Sequence, residues 1–197
     1  MNPDLKILCL KGQDILPFIP ELAKLRIEIF KSYPYLYEGD LTYEYHYLNT
    51  YVKCSESILV IVFDHEHVVG ASSAIPLEFE TIEFQKPFLE NNIDIKDVFY
   101  FGESILKAKY RGRGIYRHFF TEREAAAKEY GSKLVAFAAI ERSANDTKKP
   151  KDYVSLDAVW RHFGYEKYPK LCMYYEWKEI GDTLQTPKPL VFWLKKL

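Results

Sequence analysis

Seven consecutive residues, Leu134 to Ile140, carry only apolar side chains. The run is far too short to span a bilayer. As a strand it must be covered on both faces, which demands a layered α/β architecture rather than a half-exposed hairpin sheet. The residues before it supply one covering layer. Residues 115–130 (IYRHFFTEREAAAKEY) read as a strong helix that stops at Gly131-Ser132, where glycine can take the left-handed conformation that ends a helix.

The rest of the chain alternates in the same way. Residues 5–10, apolar but for Lys6, predict a strand. Residues 13–30 predict a helix with Pro17 and Pro20 confined to its first turn. A loop at 32–40 leads to a tyrosine-rich helix at 41–53. Residues 57–64 and 67–75 predict a hairpin around Asp64-His65-Glu66. The polar segment 78–96 predicts a short helix that covers a sheet edge. A strand at 97–107 then enters a glycine-containing turn at 110–114. Beyond the apolar run come a polar loop at 142–152 and a short helix with Ser155 as N-cap, ending at Gly164. Closing strands follow at 171–178 and 190–194, separated by a loop carrying Pro187 and Pro189. No repeat, low-complexity tract or linker interrupts the pattern. One domain over residues 1–197 is expected, of a size that buries roughly 70% of its unfolded surface without disulfides or metal.

Composition removes several functions. A net charge of -1 gives no electrostatic case for nucleic acid or an anionic membrane. Residues 1–14 show no secretory signal, and three widely spaced cysteines (Cys9, Cys54, Cys172) form neither a disulfide framework nor a zinc site. A cytoplasmic location is expected. The histidines His46, His65, His67, His118 and His162 show no metal-ligand spacing, so no metal is expected. No serine sits in a nucleophile elbow.

The turn at 111–114 reads Arg-Gly-Arg-Gly between a strand and a helix. Glycines let the backbone turn sharply and let a ligand approach its amides. The free N–H groups of a first helical turn, with the helix dipole behind them, form an anion site. Ile115 and Tyr116 follow Gly114 where a P-loop needs Lys and Ser or Thr, and Arg117 stands where a dinucleotide fingerprint needs Gly or Ala. Read by spacing, the turn is either a phosphate site of another kind or a basic turn with glycines for geometry alone.

Residues 108–120 resemble the acyl-CoA-binding turn of the GCN5-related N-acetyltransferases, Arg/Gln-x-x-Gly-x-Gly/Ala. Arg111 and Gly114 match its first two fixed positions, and Tyr116 stands where Gly or Ala is usual. Gly102-Glu103-Ser104-Ile105 resembles the family's fourth strand, and LDAVWRHFGY at 156–165 resembles its late helix and Gly-Phe ending, here Gly164-Tyr165. The element order agrees over most of the chain. The resemblance implies a single-domain fold with a mixed, mostly antiparallel sheet, flanking helices and splayed central strands. It implies acetyl-CoA as co-substrate, with the backbone amides of Arg111, Gly112, Arg113, Gly114 and Ile115 on the pyrophosphate. The backbone near Ile105, Leu106 and Lys107 would pair with the pantetheine arm. The acetyl group would pass directly to a primary amine of a small molecule or peptide.

Three roles follow from that chemistry. Glu103, on the strand entering the turn, is the first candidate base, or else a sheet carboxylate paired with Lys107 or Arg142. Glu141 is the second. The family's usual acid, a tyrosine in the late helix, is Trp160 here, and an indole N–H is no useful acid. The role passes to Tyr165, Tyr153 or water. Residues 32–51 interleave seven tyrosines with Glu38, Asp40 and Glu44; Tyr35, Tyr37, Glu38 and Asp40 suit a cationic acceptor. Two other readings share the fold: a non-catalytic acyl-CoA-binding module, and an interaction domain without cofactor. The apolar run 190–194 is either a sheet strand or part of a homodimer contact.

Overall fold

The computed structural model describes residues 5–197. The first four residues, and with them the start of the segment read for a signal, lie outside that range.

One seven-stranded sheet organises the chain, in the order β1-β2-β3-β4-β5-β7-β6. Its strands are β1 (Leu5–Lys11), β2 (Ile58–Asp64), β3 (His67–Pro76), β4 (Val98–Leu106), β5 (Leu134–Ile140), β6 (Glu166–Trp177) and β7 (Thr186–Lys196). Every neighbouring pair is antiparallel except β4 and β5. Helices α1 (Ile19–Phe30), α2 (Leu41–Lys53) and α3 (Ile82–Glu90) cover one face; α4 (Ile115–Tyr130) and α5 (Asp157–His162) cover the other. The apolar strand β5 is thus clothed on both sides, as its composition requires.

β4 and β5 pair over only three rungs, Val98 to Leu134, Phe99 to Val135 and Tyr100 to Ala136. Past Tyr100 the strands part. β4 also carries one extra residue against β3 between the Ser72–Ser104 and Ala74–Phe101 rungs, a bulge that bends the strand locally. Gly102 sits in that bulge. A Cβ there would lie 2.1 Å from the Tyr51 hydroxyl and 2.7 Å from Ser73 Oγ, so no larger residue fits as the backbone stands.

Several expectations need correction. The helix expected over 13–30 is two pieces, a 3-10 segment Gly12–Phe18 and then α1. Pro17 could not donate inside an α-helix begun at residue 13, whereas Pro20 falls in the first turn of α1. α3 lies across a sheet face rather than an edge: Phe84 packs on Tyr100 and Tyr175, and Phe88 on Phe192. Ser155 accepts from the Asp157 amide at 3.2 Å, one residue ahead of the N-cap itself.

Pro187 and Pro189 lie inside β7, not in a loop. β5 stops at the Ile140–Leu190 rung, so β7 has no strand partner on that side there. The Pro189 carbonyl faces that side, where it accepts from Glu141 N at 2.9 Å. The missing N–H groups thus cost the ladder nothing. Leu190 to Leu194 is an internal, buried strand segment between β5 and β6, which removes the reading of it as a dimer contact.

Candidate active site

A cavity of about 320 Å³ lies under α1 and α2, and all four residues expected on the acceptor side, Tyr35, Tyr37, Glu38 and Asp40, line it. The segment carrying them is tied to the end of β6 by backbone bonds: Glu38 N donates to Lys178 O at 2.9 Å and Ile180 N to Leu36 O at 2.8 Å. Trp177 Nε1 donates to Tyr35 O at 2.9 Å. Arg142 clamps the same turn, donating to Pro34 O at 2.7 Å and pairing with the buried Glu179 at 2.7 Å. Asp40 caps α2 by accepting from Tyr43 N at 2.7 Å, which fixes where the helix begins.

Nine aromatic rings line the cavity, with four carboxylates (Glu38, Asp40, Glu44, Glu176) against two cations (Arg26, Lys178). Glu38 pairs with Lys178 at 3.1 Å near the surface. Deeper, Arg26 projects from α1 with 9% of its surface exposed and bridges two buried carboxylates, Glu44 through Nε and Glu103 through Nη1. The guanidinium also lies over the rings of Tyr47, at 4.8 Å, and Phe30, at 5.1 Å. Oε1 of Glu44 and Oε1 of Glu103 are buried and accept no hydrogen bond among the described residues. Burial, then the nearby Glu44 carboxylate, raises the Tyr37 phenol above its ordinary range; burial pushes Tyr35 up to about 12. Both phenols stay neutral through the physiological range.

Gly102 on β4 and Ala138 on β5, each two residues beyond the last paired rung, line the same cavity. It therefore opens onto the place where the two strands separate. Glu103 follows Gly102, and its partner is Arg26, not Lys107 or Arg142; those pair with Glu28 at 2.9 Å and Glu179.

At the far end of β4 the turn has the geometry of an anion cradle. Gly112 and Gly114 take φ of +74° and +81°, and a Cβ on either would meet nothing within 4 Å. The backbone N–H groups of Gly112, Arg113, Gly114 and Ile115 have no protein acceptor among the described residues. They stand at the start of the 16-residue α4, where the helix dipole favours an anion. Arg111 departs from the expectation: its amide donates to Ala108 O at 3.1 Å, and its exposed side chain donates through Nε to Leu106 O at 3.4 Å. Ile105 and Lys107 depart as well. Lys107 N donates to Val69 O at 2.9 Å, so alternation along the strand turns their backbone groups toward β3 and those of Ser104 and Leu106 toward the gap.

Two predicted residues stand apart from the cavity. Tyr165 is 1% exposed in the α4-side core among Phe101, Phe120 and Phe137, and its hydroxyl donates to Glu124 at 3.0 Å. It is on the opposite face of the sheet, so the structure corrects its assignment as the acid. Glu141 is exposed and pairs with Lys167 on β6. Trp160 packs edge-on against Phe137 and Trp193, both at 5.1 Å, and its indole donates to the Tyr116 hydroxyl at 3.1 Å. Tyr116 points along α4 among Phe119, Phe120 and Phe163, away from the open backbone of the turn. No group of three metal-ligating side chains forms among the described residues.

The fold recurs in solved acetyltransferase structures. One titled a ribosomal-protein-alanine N-acetyltransferase, from Brucella melitensis, superposes with a TM-score of 0.61 at 16% identity, covering 96% of this chain and 99% of that one. A putative acetyltransferase from Acinetobacter baylyi gives 0.64 at 11% identity, covering 100% and 95%. One from Thermus thermophilus gives 0.57 at 15%, covering 98% and 97%. The chain has the GCN5-related N-acetyltransferase fold. No protein-family model and no curated protein matches the sequence. Within this acetyltransferase fold, the parted β4 and β5 and the glycine turn stand where the sequence resemblance implied.

Arg26 and the buried Glu80, which accepts from the Tyr47 and Tyr51 hydroxyls, were missed, and Glu44 was read only as one of the interleaved carboxylates. Two had a signal: Arg26 interrupts the apolar face Leu22, Leu25, Ile29 of α1, and Glu44 precedes Tyr47, Leu48 and Tyr51 at helical spacing. A charge on a core-facing stripe requires a buried partner. Glu80 lies in an irregular segment with no period to expose it.

Proposed function

We propose that the chain transfers an acetyl group from acetyl-CoA to a primary amine carried on an apolar body. The supporting observation is the continuity of the aromatic cavity with the gap between β4 and β5, at Gly102 and Ala138, on the strand that ends in the amide-lined turn. The amides of Gly112 to Ile115, with Arg111 and Arg113 beside them, suit a pyrophosphate, and the β4 edge at Ser104 and Leu106, which has no β5 partner, suits an extended amide-bearing arm. The excess of carboxylates around the cavity favours a cation, and its rings favour an apolar body behind it. The chemistry then needs a neutral amine, a donor for the tetrahedral oxyanion and departure of a thiol with a pKa near 8.5. A thiolate leaves readily, so an acid is the least demanding part, consistent with Trp160 standing where a tyrosine is usual.

The test is a thermal-shift titration with acetyl-CoA, in parallel with Gly114→Glu. A ligand at about a hundred times its Kd stabilises by roughly 2.7 kcal/mol, a rise of about 5–10 °C for a chain of this size. The wild type should show that rise. The variant, with its unliganded Tm measured separately, should fold and lose it. No rise at millimolar acetyl-CoA would remove the reading.

A further inference from the structure

We propose that Glu80, reached through Tyr47, receives the proton that the acceptor amine must lose, and that Glu103 does not. This rests on the acetyl-transfer reading above. The two carboxylates are buried to the same degree, 4% exposed each, but sit in opposite surroundings. Glu103 gives one oxygen to Arg26, so protonating it would break a buried ion pair. Glu80 pairs with no cation among the described residues. Its Oε2 accepts from Thr81 N at 2.8 Å, and its Oε1 accepts from the Tyr47 hydroxyl at 3.1 Å and the Tyr51 hydroxyl at 3.4 Å.

Tyr47 lines the cavity, and its hydroxyl also lies 3.0 Å from that of Tyr51. A phenol that donates to Glu80 keeps a lone pair for an incoming N–H. The groups around Glu80 are Tyr43, Tyr47 and Tyr51 from α2, Tyr100 and Glu103 from β4, and Tyr175 from β6. None is cationic. Burial accordingly lifts the Glu80 carboxyl to about 7, against the Thr81 amide and the two phenols that favour its charged form. A proton acceptor poised there holds and releases a proton at physiological pH.

The step balances as follows. The ammonium gives one proton to the Tyr47 oxygen while Tyr47 gives its own to Glu80 Oε1, leaving a neutral amine and a protonated Glu80. The amine lone pair forms the C–N bond at the thioester carbonyl. The C–S bond breaks, and the thiolate takes the second amine proton. Glu80 then returns its proton to solvent.

The experiment uses the full chain. Carboxyl 13C NMR of glutamate-labelled protein, with Glu80→Gln for assignment, should show Glu80 titrating near 7, and Tyr47→Phe should move that midpoint upward by removing a donor to the charged form. CoA release with acetyl-CoA and 2-phenylethylamine should show an acidic limb near the same pH. Glu80→Gln should abolish the limb, and Tyr47→Phe should lower kcat roughly 100-fold with little change in KM. A limb that survives in Glu80→Gln, or a Glu80 midpoint in the ordinary carboxylate range, would overturn the proposal. If acetyl-CoA binds but 2-phenylethylamine releases no CoA, the amine reading fails separately. The titration needs no acceptor: a Glu80 midpoint in the ordinary range or unmoved by Tyr47→Phe still overturns the relay.

Discussion

The two faces of the sheet bury their side chains on opposite terms. On the α4 side, Phe101, Phe120, Phe137, Tyr165 and Trp193 form a continuous ring-on-ring core, with Phe99 and Phe119 buried in the same cluster. Arg123, buried there, spends its donors on Phe119 O, Glu103 O, Ser73 O and Ser104 Oγ. On the α1–α2 side, Arg26, Glu44, Glu80 and Glu103 are buried around an open cavity, and two carboxylate oxygens are left without partners. Buried charge and unmet acceptors cost stability. Both faces bury charge, but only the α1–α2 face gathers several charged groups, with unmet carboxylate oxygens, beside an open cavity.

The largest expected effect tests the charged face. Arg26→Met leaves Glu44 and Glu103 facing each other without a cation, which should cost about 3–5 kcal/mol and lower the calorimetric Tm by roughly 6–20 °C. An unchanged Tm would mean the triad is not the structural hub described. Phe99→Ala on the packed face should cost a similar 3–5 kcal/mol. It differs in what it spares: acetyl-CoA should still bind at 10 °C, because Phe99 touches neither the turn nor the cavity.

Glu80 gives the comparison a pH axis. Its folded pKa of about 7 lies above the ordinary 4.5, so the folded state holds this proton more tightly than the unfolded state. Its contribution is full below about 4.5, is lost as pH rises through 7, and amounts to about 3 kcal/mol. Urea denaturation at pH 5 and pH 8 should show the wild type losing that much more stability than Glu80→Gln across the interval. Equal losses would place Glu80 in an ordinary environment.

The smallest effects sharpen the boundary between the faces. Tyr165→Phe removes one hydrogen bond to Glu124, which keeps Lys195 at 2.8 Å, and should cost about 0.5–1.5 kcal/mol with no change in turnover. A large loss of kcat would return Tyr165 to the active site. Glu141→Gln breaks a half-exposed pair with Lys167 and should cost less than about 1 kcal/mol, again without effect on turnover.

The packed face was the more legible of the two in the sequence. Its helix announces itself by periodicity and ends on a glycine at φ +91°, and β5 shows its burial in composition alone. The four residues expected on the acceptor side stood out as a group because tyrosines and carboxylates crowd one segment between two helices, and all four line one cavity. The partners of Glu103 were not. Arg26 lies 77 positions away, and only the packing of α1 across β4 brings them together. Strand alternation, which sorts Leu106 from Ile105 and Lys107, depends on a register no single strand encodes. Tyr165 was misplaced for the same reason: a Gly-Tyr ending fixes a turn, not the face on which the ring falls.

Acetyl transfer requires the cavity at the middle of β4 and the turn beyond its end to serve one reaction. The direct test is mass spectrometry of the products after incubation with acetyl-CoA and 2-phenylethylamine at pH 8, for the wild type and Gly114→Glu. N-acetyl-2-phenylethylamine from the wild type, absent with a folded Gly114→Glu, is the predicted result. A wild type that binds acetyl-CoA and forms no amide, or a Gly114→Glu that forms it at the same rate, would contradict the account.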